Sequence, residues 1–119
     1  MHNFRELKVW QKARQLVRQV YITTKEFPKE ELFALTIQMR RSAISIASNI
    51  AEGCGRSSDK QLAYFLDISK GSASELECQL LLSFDLGYID NESLQELFRN
   101  LEEIQRMVQG FKKSLTTNN

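Results

Sequence analysis

Between Leu35 and Arg56 the chain reads LTIQMRRSAISIASNIAEGCGR, and at about 100° per residue this stretch is apolar on two sides. Leu32, Leu35, Met39, Ala43, Ile46 and Ile50 fall in one narrow stripe, and Phe33, Ile37, Ile44 and Ala51 lie on nearly the opposite side. A polar set runs between them: Gln38, Arg41, Ser45, Ser48, Asn49 and Glu52. A helix that is apolar on both sides is expected to be buried on both, yet a four-helix bundle covers only one side of each helix. The second side calls for another partner, and a second copy of the same chain is the economical one.

Three further helices are predicted around this one. Leu7, Trp10, Ala13, Leu16, Val17, Val20, Tyr21 and Thr24 recur at three and four residues, giving helix one over about 7–26. Phe27-Pro28 interrupts the pattern, and helix two follows over about 29–52, with Glu30 and Glu31 complementing its positive end and Gly53 expected as a left-handed cap. Ser58 with Gln61 has the form of a capping box and opens helix three, about 58–86. Its inner side is expected to carry Leu62, Phe65, Leu66, Ser69, Ala73, Leu76, Leu80 and Phe84, with a second apolar set at Tyr64, Ile68, Gly71, Cys78, Leu82 and Leu86. The centres of helices two and three, 42–48 and 69–74, are runs of small residues, so these two stretches are predicted to lie against each other. Gly87 ends helix three, Asp90 or Asn91 caps helix four, about 91–115, and Leu94, Leu97, Phe98, Leu101, Ile104, Val108, Phe111 and Leu115 make that helix one-sided. The polar tail from Thr116 to Asn119 is expected to fray. Short connections predict an all-α, single-domain, up-down antiparallel four-helix bundle over 1–119, assembling as a ring-like oligomer.

A net charge of +1 over 119 residues conceals an asymmetry. Residues 1–26 hold six Lys or Arg against two Glu, whereas residues 57–86 hold two Lys against five Asp or Glu. The basic helix one faces either the acidic helix three, within a bundle or between subunits, or a polyanion. Its candidate contacts are Lys8, Lys12, Arg14 and Arg18, although basic side chains bordering an apolar stripe also arise simply by snorkelling over the core edge. Cys54 and Cys78, with no apolar leader, point to free thiols in a reducing cytoplasm, and no apolar run approaches the roughly 20 residues of a membrane span.

Catalytic and metal constellations are missing. The single histidine, His2, lies at a terminus expected to be mobile, and Cys54 and Cys78 lack the spacing of a metal clip, so neither a metal nor a cofactor is expected. Cys78 reads as an apolar filler and Cys54 as a loop residue. Gly53-Cys54-Gly55-Arg56 follows a helix rather than a strand, which argues against a phosphate loop and for a capped turn; Arg56, Lys60 and the helix-three amides are left as a possible anion contact. Glu52 has only Glu75 and Glu77 as carboxylate companions. If Arg41 and Glu52 are buried they need partners from elsewhere, because a lone buried ion is costly.

Phe4-Arg5-Glu6-Leu7-Lys8-Val9-Trp10, Phe27-Pro28, Gln38-Met39-Arg40-Arg41-Ser42-Ala43, Ser45-Ile46, Asn49-Ile50-Ala51-Glu52-Gly53-Cys54-Gly55-Arg56, Phe65-Leu66, Gly71-Ser72 and Glu75-Leu76 occur in this order. With them the chain resembles the bacterial four-helix-bundle family of the 23S ribosomal RNA intervening-sequence proteins, over nearly its whole length. The resemblance implies a cytoplasmic ring, a homopentamer, without a known catalytic activity. Relatives include accessory proteins of diversity-generating retroelements, basic barrels associated with nucleic acid and a reverse transcriptase. Many members carry proline where this chain has Ala47, so no proline kink is carried over to helix two.

The expected function is therefore a non-enzymatic oligomeric module that binds RNA or DNA through Lys8, Lys12, Arg14 and Arg18. A protein-binding scaffold is the alternative, and an enzyme acting at Arg41, Asn49, Glu52 and Arg56 a distant third. The oligomer interface or polar network is expected to involve Phe33, Ile37, Gln38, Arg41, Ile44, Ser45, Asn49, Glu52, Arg56, Tyr64, Ile68 and Gly71.

Overall fold

The computed structural model describes residues 2–116. They contain four α-helices and no strand: α1 (Lys8–Thr24), α2 (Ile37–Cys54), α3 (Asp59–Asp85) and α4 (Asn91–Thr116). A 3-10 turn, Phe4–Glu6, precedes α1, while a second one, Lys29–Glu31, and a π-turn, Leu32–Thr36, lead into α2. The expectation of a frayed tail concerns 117–119, outside the described residues.

The core follows a tighter repeat than 3.6. The buried seam runs through Val9, Ala13, Leu16, Val20 and Thr24 in α1; Met39, Ala43, Ile46, Ile50 and Gly53 in α2; Leu62, Leu66, Ser69, Ala73, Leu76, Leu80 and Ser83 in α3; and Leu94, Leu97, Leu101, Ile104 and Val108 in α4, with Ser42, Cys54, Ser72 and Leu115 also buried. Steps of three and four alternate along the seams of α2, α3 and α4, a 3.5-residue repeat that keeps one seam facing neighbours inclined by about 20°. This explains a misplaced residue. Phe84, expected inside, is 39% exposed and Ser83 is fully buried instead, because the step from Leu80 is three residues rather than four. The Ser83 hydroxyl is satisfied there by the Gln79 carbonyl at 2.8 Å and lies 3.3 Å from Met39 Sδ.

α2 and α3 pack through their small residues, as predicted. Ser69 Oγ donates to the Ile46 carbonyl at 2.9 Å, and Ser45 Oγ and Ser72 Oγ are 2.7 Å apart. At Gly53 a Cβ would stand 2.8 Å from Leu62 Cδ1 and 3.0 Å from Phe65 Cβ, so no larger residue fits without displacement. The expectation of a left-handed cap at Gly53 is thus wrong: Gly53 lies inside α2, and the only positive φ among the described residues belongs to Gly87, at 79°. Gly53 serves close approach rather than chain reversal.

The other helix ends use cap chemistry. Ser58 Oγ accepts the Gln61 amide at 3.2 Å, and Asp90 rather than Asn91 caps α4, accepting the Ser93 amide at 2.8 Å. After α3, the Gly87 amide donates to Phe84 O and the Tyr88 amide to Ser83 O, a Schellman closure that needs the left-handed glycine. Neighbouring helices are joined by Asp67–Lys112 and Glu77–Gln105 between α3 and α4, and by Lys12–Glu103 and Gln19–Asn100 between α1 and α4.

Helix two does not start smoothly at residue 29. Ala34, inside the π-turn, has φ −120° and ψ −105°, outside helical values, and breaks the path between the 3-10 turn and the regular helix. Extrapolating the α-period back through this break misplaces Leu32, expected in the core and 44% exposed. The segment is held from the α3–α4 connection. Tyr88 donates its hydroxyl proton to Glu31 Oε2 at 2.8 Å, its ring packs 5.3 Å from that of Phe27, and Glu31 Oε1 accepts the Leu35 amide at 3.5 Å.

Two outcomes follow in unfolding experiments. Gly53→Ala gains about 1 kcal/mol of helix propensity but incurs an overpacking cost of about 1–3 kcal/mol, and is expected to be less stable in urea than wild type. Gly110→Ala, in an exposed part of α4 where a Cβ meets nothing within 4 Å, should be more stable by about 0.5–1 kcal/mol. A Gly53→Ala protein as stable as wild type would contradict the close-approach account. For Tyr88, the hydrogen bond to the Glu31 carboxylate raises the phenol above its ordinary 10.0. A raised folded-state pKa gives stability that is complete below the ordinary value and is lost as pH rises through the raised one. The Tm advantage of wild type over Tyr88→Phe should therefore be constant through neutral pH and shrink on the alkaline side; an advantage independent of pH would exclude the phenol–carboxylate bond as its source.

Candidate nucleic-acid interface

The basic residues of α1 separate onto two flanks. Lys12 turns toward α4, where its Nζ lies 3.2 Å from Glu103, and Gln19 on the same flank accepts from Asn100 at 2.9 Å. Lys8 is exposed one turn before Lys12. Arg14 and Arg18 stand one turn apart on the other flank and line a surface groove together with Phe4, Arg5, Trp10, Gln11 and Gln15. The structure thus brings Arg14 and Arg18 together with Arg5 and sets Lys12 apart.

The groove is built by the chain preceding α1. Asn3 Oδ1 accepts the Arg5 amide at 3.2 Å, starting the 3-10 turn, and Gln11 Nε2 donates to the Arg5 carbonyl at 3.0 Å, tying that turn to α1. Phe4 then meets Trp10 edge to face at 4.9 Å. The Arg5 guanidinium stands 5.9 Å from the Phe4 ring centre and that of Arg14 5.6 Å from Trp10, both near the outer limit of about 6 Å for such contacts. Ion pairs among the described residues are Lys12–Glu103, Arg56–Glu52 and Lys112–Asp67, so Arg5, Arg14 and Arg18 carry uncompensated charge.

Arg40, further along this side, is bound differently. It lies 4.4 Å over the Tyr21 ring and donates Nε–H to Thr24 Oγ1 at 3.0 Å, while Thr24 is buried and donates to the Val20 carbonyl at 2.8 Å. Arg40 therefore clamps the end of α1 to α2. Neither Arg5 nor Arg40 was singled out from the sequence. Arg5 stands outside the helical periodicity, in a turn whose fold over Trp10 has no periodic signal, and Arg40 adjoins Arg41 with nothing local to distinguish them.

The residues expected at an interface divide into three groups. Phe33 is 90% exposed, Tyr64 62% and Ile44 40%; Ile37 and Ile68 are half-buried, and Gly71 is exposed. Ser45 and Asn49 belong to an internal polar chain in which Asn49 Nδ2 donates to the Ser45 carbonyl and hydroxyl at 2.8 and 2.9 Å, and Ser45 meets Ser72. Gln38, Arg41 and Glu52 are exposed, so the premise of buried charge does not apply within the chain. Glu52 pairs with Arg56 at 3.0 Å, and the Arg56 guanidinium lies 4.7 Å over Phe65. These two contacts account for Arg56, which leaves the interhelix turn without a dedicated anion contact.

Other expectations are corrected. His2 is tethered, its amide donating to the Cys54 carbonyl at 3.2 Å and its ring meeting Phe111 at 5.3 Å. Cys54 is buried in the last turn of α2 rather than in a loop, and burial pushes its thiol pKa up, the opposite of activation. Cys78 is exposed rather than a core filler. The basic α1 and the acidic α3 each pack on α2 and α4 and are diagonal to one another, so no ion pair joins them among the described residues. No group of His, Cys, Asp or Glu with metal-binding geometry occurs among the described residues, and no described helix is long and apolar enough to cross a membrane.

No curated protein matches the chain. Among solved structures, a protein of unknown function from the S23 ribosomal protein family of Bacteroides thetaiotaomicron has a similar fold, with a TM-score of 0.79 at 24% identity, covering 88% of this chain and 98% of that one. The sequence profile of the 23S rRNA-intervening sequence proteins matches residues 5–110, which take in α1, α2, α3 and most of α4, and on that match this chain belongs to the 23S rRNA-intervening sequence protein family.

Proposed function

We propose that this protein is a non-catalytic, homo-oligomeric, cytoplasmic module that binds RNA or DNA along the outer flank of α1. The observation that carries this reading is the gathering of Arg5, Arg14 and Arg18 in one groove with no ion pair to a carboxylate among the described residues. Three like charges held close on a surface repel one another, and a polyanion relieves that repulsion while releasing its own counterions. Membership of a family described by an insertion in ribosomal RNA is consistent with this chemistry.

Assembly is the second part of the proposal. The register of the helix contacts accords with an up-and-down bundle in which the outer faces of α2 and α3 form one surface, carrying Ile37, Ile44, Tyr64, Ile68 and Leu82. That surface also bears Arg41 and Glu75, both exposed and without an ion pair among the described residues, so it is complementary in charge to itself. A second copy is the occupant these features favour, and the homopentameric ring implied by the resemblance is the expected closed form.

Titrating labelled RNA and DNA at two salt concentrations tests the first part. Affinity should fall steeply with salt, and replacing Arg5, Arg14 and Arg18 together by Ala should reduce the log–log slope by about 2 to 3, at roughly 0.7–0.9 per phosphate contact. Lys12→Ala should change it less, since Glu103 already offsets that charge. Absence of binding at low salt would reject the nucleic-acid reading and favour a protein-binding scaffold. For assembly, Ile44→Asp or Ile37→Asp should reduce the light-scattering mass to that of the 13.8 kDa monomer by placing a charge in an apolar contact; an unchanged mass in both variants would reject this face as the interface.

A further inference from the structure

We infer that the α1 groove takes unpaired nucleotides, with a base stacked on Trp10, and thus selects single-stranded over duplex nucleic acid. The inference rests on the nucleic-acid reading above and goes beyond it, because uncompensated arginines alone would serve any polyanion. What they do not use is the aromatic half of the groove, where Phe4 and Trp10 pack against the core and stay only half-buried. Phe4 and Trp10 meet edge to face, at 68° between ring planes, and Trp10, half-buried against the core, turns one face of its indole to the groove. That face carries the Arg14 guanidinium at 5.6 Å, whereas the clamp residue Arg40 sits at 4.4 Å over Tyr21 and is fixed by a hydrogen bond to Thr24. Among the described residues no hydrogen bond or ion pair holds the Arg14 side chain, so it can swing outward to a phosphate while a base takes its place on the ring.

Only an unpaired base can do so. In a duplex both faces of each base are stacked on neighbours, and the protein meets phosphates, sugars and base edges; in a single strand the π-faces are available and aromatic stacking adds about 1–3 kcal/mol per base. The groove is lined by the rings of Phe4 and Trp10 together with the cations Arg5, Arg14 and Arg18. Arg14 and Arg18 are separated by one helical turn, about 6 Å, and can engage successive phosphates of one strand. Gln15 lines the same groove and supplies an amide for a base edge.

Trp10 is the only tryptophan in the chain, so its emission reports directly on this contact. The intact protein is titrated with oligo(U), oligo(dT) and a blunt DNA duplex, following both Trp10 fluorescence and the anisotropy of a label on the nucleic acid. Saturable quenching by the single strands, with the same midpoint as the anisotropy, and duplex binding at least about tenfold weaker without quenching, are expected. Trp10→Leu keeps an apolar side chain but removes the stacking face, and should weaken single-strand binding about 5- to 100-fold, the equivalent of one stacked base, while Trp10→Phe retains most of the affinity. Circular dichroism melting of both variants separates loss of stacking from loss of fold. Equal binding of duplex and single strand with unchanged Trp10 emission would overturn the stacking inference and leave the electrostatic reading in place. No binding of any of the three at low salt would overturn both.

Discussion

The close approach of α2 to α3 is the contact on which the rest of the structure depends. Ser45, Ser69, Ser72 and Gly53 leave no bulk between the two backbones, and the Ser69 hydroxyl bonds directly to a carbonyl of the opposite helix. A buried hydroxyl left without a partner costs about 1–3 kcal/mol, so these serines hold the register as well as the distance. Sliding one helix by a turn along the other would orphan Ser69 and drive Leu62 against a residue larger than Gly53. With this pair set, the larger seam residues, such as Met39, Ile46, Leu66 and Leu76, fill the space toward α1 and α4.

Pairing small residues in this way has a geometric consequence. Helices two and three use their small side chains on each other and their large ones on the core, which leaves a third sector of each helix, carrying Ile37, Ile44, Tyr64, Ile68 and Leu82, directed away from the chain. Apolar residues exposed singly on a protein surface are ordinary; here Ile44, Tyr64 and Leu82 are exposed and Ile37 and Ile68 half-buried on two helices that pack against each other. Part of the outer side of α2 near its end is occupied by the chain itself, since Phe4 lines a cleft with Ser48, Asn49, Ala51, Glu52 and Phe65. The N-terminal turn therefore joins two features: it covers one end of α2 and supplies Phe4 and Arg5 to the α1 groove.

Electrostatics organise the opposite side. Lys12 is neutralised by Glu103 and Arg56 by Glu52, contacts worth little in water but enough to remove those cations from the free set. Arg5 and Arg14 rest on aromatic rings instead, interactions of about 0.5–1 kcal/mol at exposed sites, which keep the full positive charge. A guanidinium held by a ring remains able to bind an anion, whereas one held by a carboxylate must first exchange its partner.

The sequence by itself determined the four helices, the contact between the small runs of helices two and three, and the second apolar face, because each is written in local spacing: apolar steps of three and four, Ser58 ahead of Gln61, serine and alanine runs in two helices. Family membership was also legible, since it rests on motifs in order along the chain. The tertiary structure decided what depends on which surfaces meet. Whether Gly53 reverses the chain or admits Leu62 is settled by the neighbouring helix, and both uses suit the same residue. The break at Ala34 sits in an unremarkable apolar run and is held by Tyr88, far away in sequence. The four candidate cations looked equivalent because charge and helix phase are all that spacing encodes; Glu103, brought beside Lys12 by the fold, and the N-terminal turn, which sets Phe4 and Arg5 beside Trp10, Arg14 and Arg18, made them different.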